Sequence, residues 1–532
     1  MLLSCSATIK YLAAANNCYT QKMKKTLLCS AAFLAALGAC AQPNATAVKY
    51  AKYITVDNAK KHLTIIAADD MEGRETGRPG ADKAANYLAG EYKKLGLLPA
   101  NNGSFFLDVP LTSTSFKVSA VSVNGTVLTV GKDYSSLSGG GTQTINASEV
   151  VFVGYGSEAE LKDVDLAGKA VMVITEPKPG ADASVSPMRA FGRVAAALVA
   201  KKPAIILGVG AVTPGTGGSA ERIGLKPATP RPVVTRALVL SITPAIADQI
   251  LKASGKTYAD LKSTSVSQPQ SFKADVKASA ETMVKDAKAV DIVAYIPGSD
   301  PKLKDEVLVF SAHYDHIGME PEGTKGDRIN NGADDDGSGT TGILEIATAF
   351  MKAKKDGKGP RRTILFLGNV GEEKGLLGSE YYSEHPVFPL EKTVTDLNID
   401  MIGRRDPSHE GTPDYCYLIG SDKLSTTLHK VSENANNTYT KLAVDYKYND
   451  PKDPERIYYR SDHYNFAKHG VPIVFYFDGV HADYHKVSDE VSKIDFPLLV
   501  KRTQLVFYTG WDLANRDERP VVDVKNDMPA SR

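Results

Sequence analysis

Between His313 and His485 the chain carries five groups of residues able to bind a hard or borderline metal ion. They are His313-Tyr314-Asp315-His316, the loop Asn331-Gly332-Ala333-Asp334-Asp335-Asp336-Gly337-Ser338-Gly339, Gly371-Glu372-Glu373, Asp400-Met401, and His485. So many carboxylates repel one another when unpaired, and a bound cation is the natural counter-charge. Each group also has an ordinary reading. His-x-Asp can be a hydrogen-bonded pair, Asp-Asp-Asp-Gly-Ser-Gly a turn, helix cap or calcium loop, and Glu-Glu before Lys-Gly a solvated face. The ordered set argues for a joint metal site. Imidazole mixed with carboxylate suits zinc, whereas calcium asks for an oxygen-rich shell that His313 and His485 do not supply.

Strands and helices must bring these groups together. Buried-strand patterns occur at Val307–Ala312, Thr363–Leu367, Thr395–Ile399 and Ile473–Phe477. They alternate with helix candidates at Gly339–Lys355, Leu376–Ser383, Lys423–Asn436, Asp462–Lys468 and Phe496–Trp511, the last opened by Asp495 as N-cap with Pro497 in its first turn. Such alternation predicts an α/β fold with a mixed, mostly parallel central sheet flanked by helices. In open sheets of this kind ligands collect at the carboxyl ends of the strands, which is where His313, the Glu372-Glu373 pair, Asp400 and His485 fall. Upstream, Gly80–Leu95 shows a helical apolar stripe closed by Gly96. Lys117–Gly131 alternates about the hairpin turn Asn124-Gly125. Short β-rich runs and Gly/Pro loops then suggest an inserted β-rich module over 116–275, with Ser263–Lys288 as the linker out of it.

Residues 290–515 resemble the M28 family of zinc metallopeptidases, the co-catalytic aminopeptidases. The family pattern is matched by His313/Asp315, Gly332-Ala333-Asp334-Asp335, Glu372-Glu373, Asp400-Met401 and His485. The segment 69–80, Asp-Asp-Met-Glu-Gly-Arg-Glu-Thr-Gly-Arg-Pro-Gly, also looks like the family's N-terminal part. Phe152-Val153-Gly154-Tyr155-Gly156 and Leu166-Ala167-Gly168-Lys169 resemble a protease-associated (PA) insert. The resemblance implies a zinc-dependent exopeptidase fold over 44–115 and 276–517, interrupted by the PA-like module and followed by a tail at 518–532.

It also implies two Zn²⁺ ions bridged by Asp335, with His313 and Asp400 completing one site and Glu373 and His485 the other. Two metals about 3.5–4 Å apart can clamp both attacking and developing oxygens. Asp315 is then the partner that orients His313, and Glu372 the general base that takes a proton from the attacking water and gives it to the leaving amine. Counting back from Ser461-Asp462-His463, Tyr458 matches the oxyanion-stabilising tyrosine of some members. His316 and His463 are expected to be structural, Asp334 and Asp336 to order the loop or hold a free α-amine, and Val444–Arg456 to be a plain surface loop, with part of the site's rim as the alternative.

The implied reaction is removal of N-terminal residues from peptides or proteins. Its rivals are glutaminyl cyclisation on the same fold with one zinc and a catalytically inactive binding protein. The PA-like insert favours the peptidase, and retention of Glu372 with all five ligand positions argues against the inactive scaffold.

Composition narrows the remaining classes. The 532 residues hold 63 Lys+Arg against 62 Asp+Glu, without the basic footprint of a nucleic-acid binder. Four of the five cysteines precede residue 41, leaving only Cys416, so the body can form no internal disulfide. Met23-Lys24-Lys25, the apolar run Thr26–Ala36 and Leu37-Gly38-Ala39-Cys40 read as an export signal starting at Met23 and ending in a bacterial lipobox. This predicts an envelope lipoprotein, or a periplasmic or secreted protein, touching a membrane only through a lipid on Cys40.

Overall fold

Fully buried strands need neighbours on both faces, and the apolar runs of the second half of the chain build around that requirement. The computed structural model describes residues 42–176, 187–213, 217–230, 232–263 and 268–529. Met23, the run Thr26–Ala36 and Cys40 lie outside the described residues. Two compact units emerge. One combines the described residues up to Asp108 with those from Ala289 on; the other is Val109–Lys288.

In the first unit the sheet runs Ala443–Asp445, Tyr415–Ile419, Ile473–Phe477, Thr393–Ile399, Val307–His313, Thr363–Asn369, residues 292–296 of the strand Gln270–Ile296, and Leu98–Pro99. Ile473–Phe477, Thr393–Ile399, Val307–His313 and Thr363–Asn369 are parallel to one another. Tyr415–Ile419 and residues 292–296 flank them antiparallel, so the sheet is mixed and mostly parallel. The register pairs His313 with Asn369 and Ile399 with Tyr476, which brings the carboxyl ends of all four parallel strands to one edge.

Helix Gly337–Lys355 is buried along most of its length, and its N-cap Asp336 accepts from the Gly339 N–H at 2.8 Å. Helix Phe496–Asn515 is capped by Asp495, which accepts from the Leu498 N–H. Helix Pro79–Leu95 opens on proline and closes on Gly96 in the left-handed conformation (φ 92°). A Cβ at Gly80 would lie 2.0 Å from the Met71 carbonyl oxygen, so only glycine lets this helix meet the segment before it. Residues beyond 517 are held against the unit: the Tyr459 hydroxyl donates to the Pro529 carbonyl at 2.6 Å and Lys423 pairs with Asp527 at 2.9 Å.

In the second unit Gln143–Phe152, Ala170–Ile174, Ile205–Val209 and Arg236–Ile242 run parallel, with Tyr134–Gly140 antiparallel beyond Arg236–Ile242. The predicted hairpin at Asn124-Gly125 is present, with Val123 opposite Thr126. This unit is wider than 116–275, because the strands Phe106–Val123 and Gln270–Ile296 run unbroken through both boundaries. Ser263–Lys288 is accordingly not a linker throughout. Its residues 270–280 pair antiparallel with Gln143–Phe152, alternating side chains in and out despite their Ala/Lys-rich composition.

Candidate metal centre

Strand ends deliver the first donors. His313 closes Val307–His313, and its Nδ1 faces the Asp315 carbonyl oxygen at 3.1 Å, leaving Nε2 to point out of the sheet. That Nε2 lies 3.3 Å from Asp335 Oδ1, 3.5 Å from Asp400 Oδ1 and 4.0 Å from Glu372 Oε2. On the other face of Asp335, His485 Nε2 lies 3.1 Å from both Asp335 Oδ2 and Glu373 Oε2. Asp335 is thus shared by two donor clusters, and the five predicted ligand positions converge on one place. His316 joins them: its Nδ1 is 2.9 Å from Glu373 Oε1, although the sequence pattern assigned it no part in the site.

Local geometry explains why these segments converge. Met401 (φ 57°), His485 (φ 55°) and Leu376 (φ 63°) hold left-handed backbone without being glycine, a strain that the surrounding contacts must support and that clusters at functional sites. The loop carrying Asp335 is fixed from several sides. Asp489 accepts from the backbone N–H groups of Asp334 and Asp335 at 3.0 and 3.1 Å. Asp336 accepts from the Met401 N–H at 3.1 Å, and Asp334 from the Gly403 N–H at 2.7 Å while facing His481 at 3.2 Å. Asp334 and Asp336 therefore order the loop.

The segment 69–76 braces the same loops from beneath. The buried Arg74 guanidinium donates to the carbonyls of Tyr314 (2.7 Å), Ile66 (3.1 Å), Asn331 (2.5 Å) and Gly332 (2.9 Å). Thr76 donates to Asp315 Oδ2 at 2.6 Å, and Asp315 Oδ1 accepts from the Glu372 N–H at 3.3 Å. The Asp315 carboxylate is 3.7 Å from His313 Nδ1, farther than its own carbonyl, so it positions the Glu372 turn as directly as it orients the imidazole.

Electrostatics follow from burial and crowding. Burial pushes the Glu372 carboxyl well above the ordinary range, with neighbouring Glu373, Asp400 and Asp462 acting in the same direction against His313. Burial also opposes the charge on Asp335, but His313, His485 and His316 outweigh it and hold this carboxylate well below its usual value. For His485 burial is overcome by Asp335 and Glu373, which lift the imidazole to about 10.

Among the described residues, His313 Nε2, both ring nitrogens of His316, Asp335 Oδ2 and Glu373 Oε1 are buried without a hydrogen-bond partner. Buried polar atoms left unpaired are costly, and here they face one another across ligand-sized gaps. Two groups, His313/Asp335/Asp400 and His316/Asp335/Glu373, each offer three donor atoms within 4.8 Å of one another. Nitrogen and carboxylate donors at these spacings fit divalent transition metals.

Tyr458 lies elsewhere. It is buried in the turn Ile457–Tyr459, and its hydroxyl accepts from Asn526 Nδ2 at 3.0 Å, turned into the protein rather than toward the cluster. The tyrosine at the mouth is Tyr484. Its ring stacks on His485 (3.9 Å between centroids, 21°) and its hydroxyl accepts from Arg460 at 3.1 Å. Burial, reinforced by Asp335 and Glu373, raises the phenol, so it stays protonated as a donor. The available signal was adjacency, since Tyr484 directly precedes the ligand candidate His485. A cavity of about 340 Å³ opens here, lined by Glu372, Glu373, Gly375, Leu376, Arg456, Tyr459, Arg460 and Tyr484. From the segment Val444–Arg456, Arg456 reaches it. A second recess adds Met401, Ile457, Phe475, Phe477 and Val480 beside Asp335 and Asp400.

A mixed, mostly parallel sheet with a shared-carboxylate metal centre at its strand ends defines a class, and residues 291–510 match the family model described as Peptidase family M28. Within that class the chain is similar to the probable leucine aminopeptidase of Arthroderma otae, 31% identical over 245 residues that cover 44% of this chain and 61% of that protein. It is also similar to leupeptin-inactivating enzyme 1 of Streptomyces exfoliatus, 31% identical over 208 residues covering 39% of each. The chain thus spans about three fifths or less of the length of these relatives. Among solved structures, the aminopeptidase from Aneurinibacillus sp. strain AM-1 shares the fold with a TM-score of 0.53 at 18% identity, over 91% of this chain and 100% of that one.

Proposed function

We propose that this protein is a two-zinc aminopeptidase of the M28 type that removes apolar N-terminal residues from peptides. The observation that carries the reading is the sharing of Asp335 between two donor clusters, with the Glu372 carboxylate 4.0 Å from His313 Nε2 at the cavity wall. Five positions, His313, Asp335, Glu373, Asp400 and His485, would hold the ions. When bound, the metals supply Lewis-acid polarisation of the scissile carbonyl and a more acidic nucleophilic water.

The chain's own groups do the rest. Glu372, whose carboxyl burial holds above its ordinary range, takes the proton of the attacking water and passes it to the leaving amine. Tyr484 replaces Tyr458 as the phenol aimed at the developing oxyanion, and the Arg460 contact strengthens it as a donor. Met401, Ile457, Phe475, Phe477 and Val480 form a small apolar recess of about 30 Å³ beside Asp400, and the first residue's side chain would extend from it into the cavity of about 340 Å³. The names of the aligned relatives, leucine aminopeptidases among them, agree with an apolar preference.

The remaining expectations belong to the same proposal. The stretch 116–275, which lies within unit Val109–Lys288, is read as a PA-like insert, and residues up to Cys40 direct export with lipidation at Cys40. Purified residues 44–532 should release N-terminal residues from aminoacyl arylamides and short peptides. Chelator should stop this, zinc restore it, and Glu372→Gln lower the rate by about 10²–10⁴. No hydrolysis by a folded, two-zinc protein overturns the reading and turns attention to cyclisation of N-terminal glutamine.

A further inference from the structure

His316 is too well built into the centre for a bystander. Its backbone N–H donates to the Arg74 carbonyl at 3.1 Å, and a bridge pairs it with Glu75, so the braced segment 69–76 fixes where it stands. Its ring covers Gly332, where a Cβ would meet the imidazole at 2.6 Å. The wholly buried imidazole places Nδ1 2.9 Å from Glu373 Oε1 and 3.7 Å from Asp335 Oδ2, edge-on to His485. Among the described residues His316 Nδ1, Asp335 Oδ2 and Glu373 Oε1 are buried with no hydrogen-bond partner to explain their burial, and they face one another.

Tetrahedral zinc with bonds of about 2.0–2.1 Å needs donor atoms roughly 3.3 Å apart. The His485 contacts with Asp335 and Glu373, both 3.1 Å, and the His316 contacts at 2.9 and 3.7 Å bracket that value. Around the other position the His313 contacts, 3.3 Å to Asp335 and 3.5 Å to Asp400, match it with three donors only.

We propose that His316 is a fourth protein ligand to the metal held by Asp335, Glu373 and His485, which makes the two positions unequal. His316, Asp335 and Glu373 bring three donor atoms within 4.8 Å of one another, and His485 would add a second imidazole from the other oxygen of Glu373, whereas His313, Asp335 and Asp400 would supply one imidazole to the other position. This inference rests on the two-metal reading above.

The test needs no substrate. Metal-free protein is titrated with zinc alone by calorimetry against a competing chelator, and imidazoles are counted by X-ray absorption at one equivalent. Wild type should take two equivalents, the tighter one bound by two imidazoles. His316→Ala should weaken that equivalent by more than about 100-fold, beyond the 10–100-fold expected from losing an outer hydrogen-bond partner, and show one imidazole. Added free imidazole should restore part of the affinity. Should His316→Ala fail to fold, the wild-type count decides alone. One imidazole at the first equivalent, or unchanged affinity in a folded variant, overturns the assignment. Wild type that binds no zinc overturns the metal reading itself, a separate outcome.

Discussion

Both units are built on parallel strands buried on both faces, yet they bury different chemistry. In Val109–Lys288 the strands Ala170–Ile174 and Ile205–Val209 are buried along their whole length, and the one buried charged side chain among the described residues is Glu160, which closes the capping box of the short helix Glu158–Leu161. In the other unit Arg74, Asp291, Asp315, Asp334, Asp335, Asp336, Asp396, Asp400, Asp462, Asp478, Asp489 and Arg502 are all buried. Burying ionisable groups is unfavourable unless they are paired, so the first arrangement serves stability and the second accepts a cost to hold reactive groups in place. A parallel sheet alone says nothing of activity; what is placed at its strand ends does.

The contrast can be broken most severely at Asp335. Asp335→Ala should abolish zinc uptake at both positions and reduce peptidase activity to background, whereas Asp400→Ala should remove one equivalent; elemental analysis after dialysis distinguishes them. In the apolar unit, Leu207→Ala should cost about 2–5 kcal/mol in chemical denaturation, and the specific activity of the protein that remains folded should be unchanged. Loss of activity in proportion to binding rather than folding would show that the two units are not so separate in role.

Smaller effects sharpen the comparison. Thr76→Val removes the hydroxyl that holds Asp315, and zinc affinity at the His313 position should fall by about 10–100-fold with little change in melting temperature. His463 gives a pH signature. Burial lowers its imidazole to about 3, while its Nε2 donates to the Tyr458 carbonyl at 2.8 Å. The unfolded chain takes up this proton below about 6.5 and the folded protein does not. Stability should therefore fall as pH drops from about 6.5 toward 3, and His463→Phe should flatten that slope in urea titrations at a series of pH values. Smallest is Cys416, whose buried thiol is pushed up to about 12; it should react with a thiol reagent at pH 8 only after unfolding.

That the ligand candidates come together could be anticipated where a short motif ends an apolar strand, as at His313 and Asp400, and where a carboxylate loop opens a helix, as at Asp335. The sheet was readable for the same reason. The supports were not. Arg74 meets Asn331 and Gly332, Thr76 meets Asp315, and Asp489 meets the Asp334 and Asp335 backbone, pairs far apart along the chain; the segment 69–80 stood out in the sequence, but its partners did not. The choice between Tyr458 and Tyr484 likewise turns on which way a side chain points, and counting from Ser461-Asp462-His463 carries no such information. The strand Gln270–Ile296 was misjudged in part because Ala and Lys are weak strand formers whose alternation only pairing reveals.

The brace formed by 69–76 also has a bearing on the order of biosynthesis. Arg74 and Thr76 emerge early, but apart from the Ile66 carbonyl the groups they grip lie some 240–260 residues later, beyond the whole of Val109–Lys288. Closing so long a loop is entropically slow to begin, and contacts of this separation form late. The growing chain must therefore carry an arginine with only its Ile66 contact until the loop around Asp335 has been made, and the donor set is assembled in the order of synthesis, with His485 as its last member.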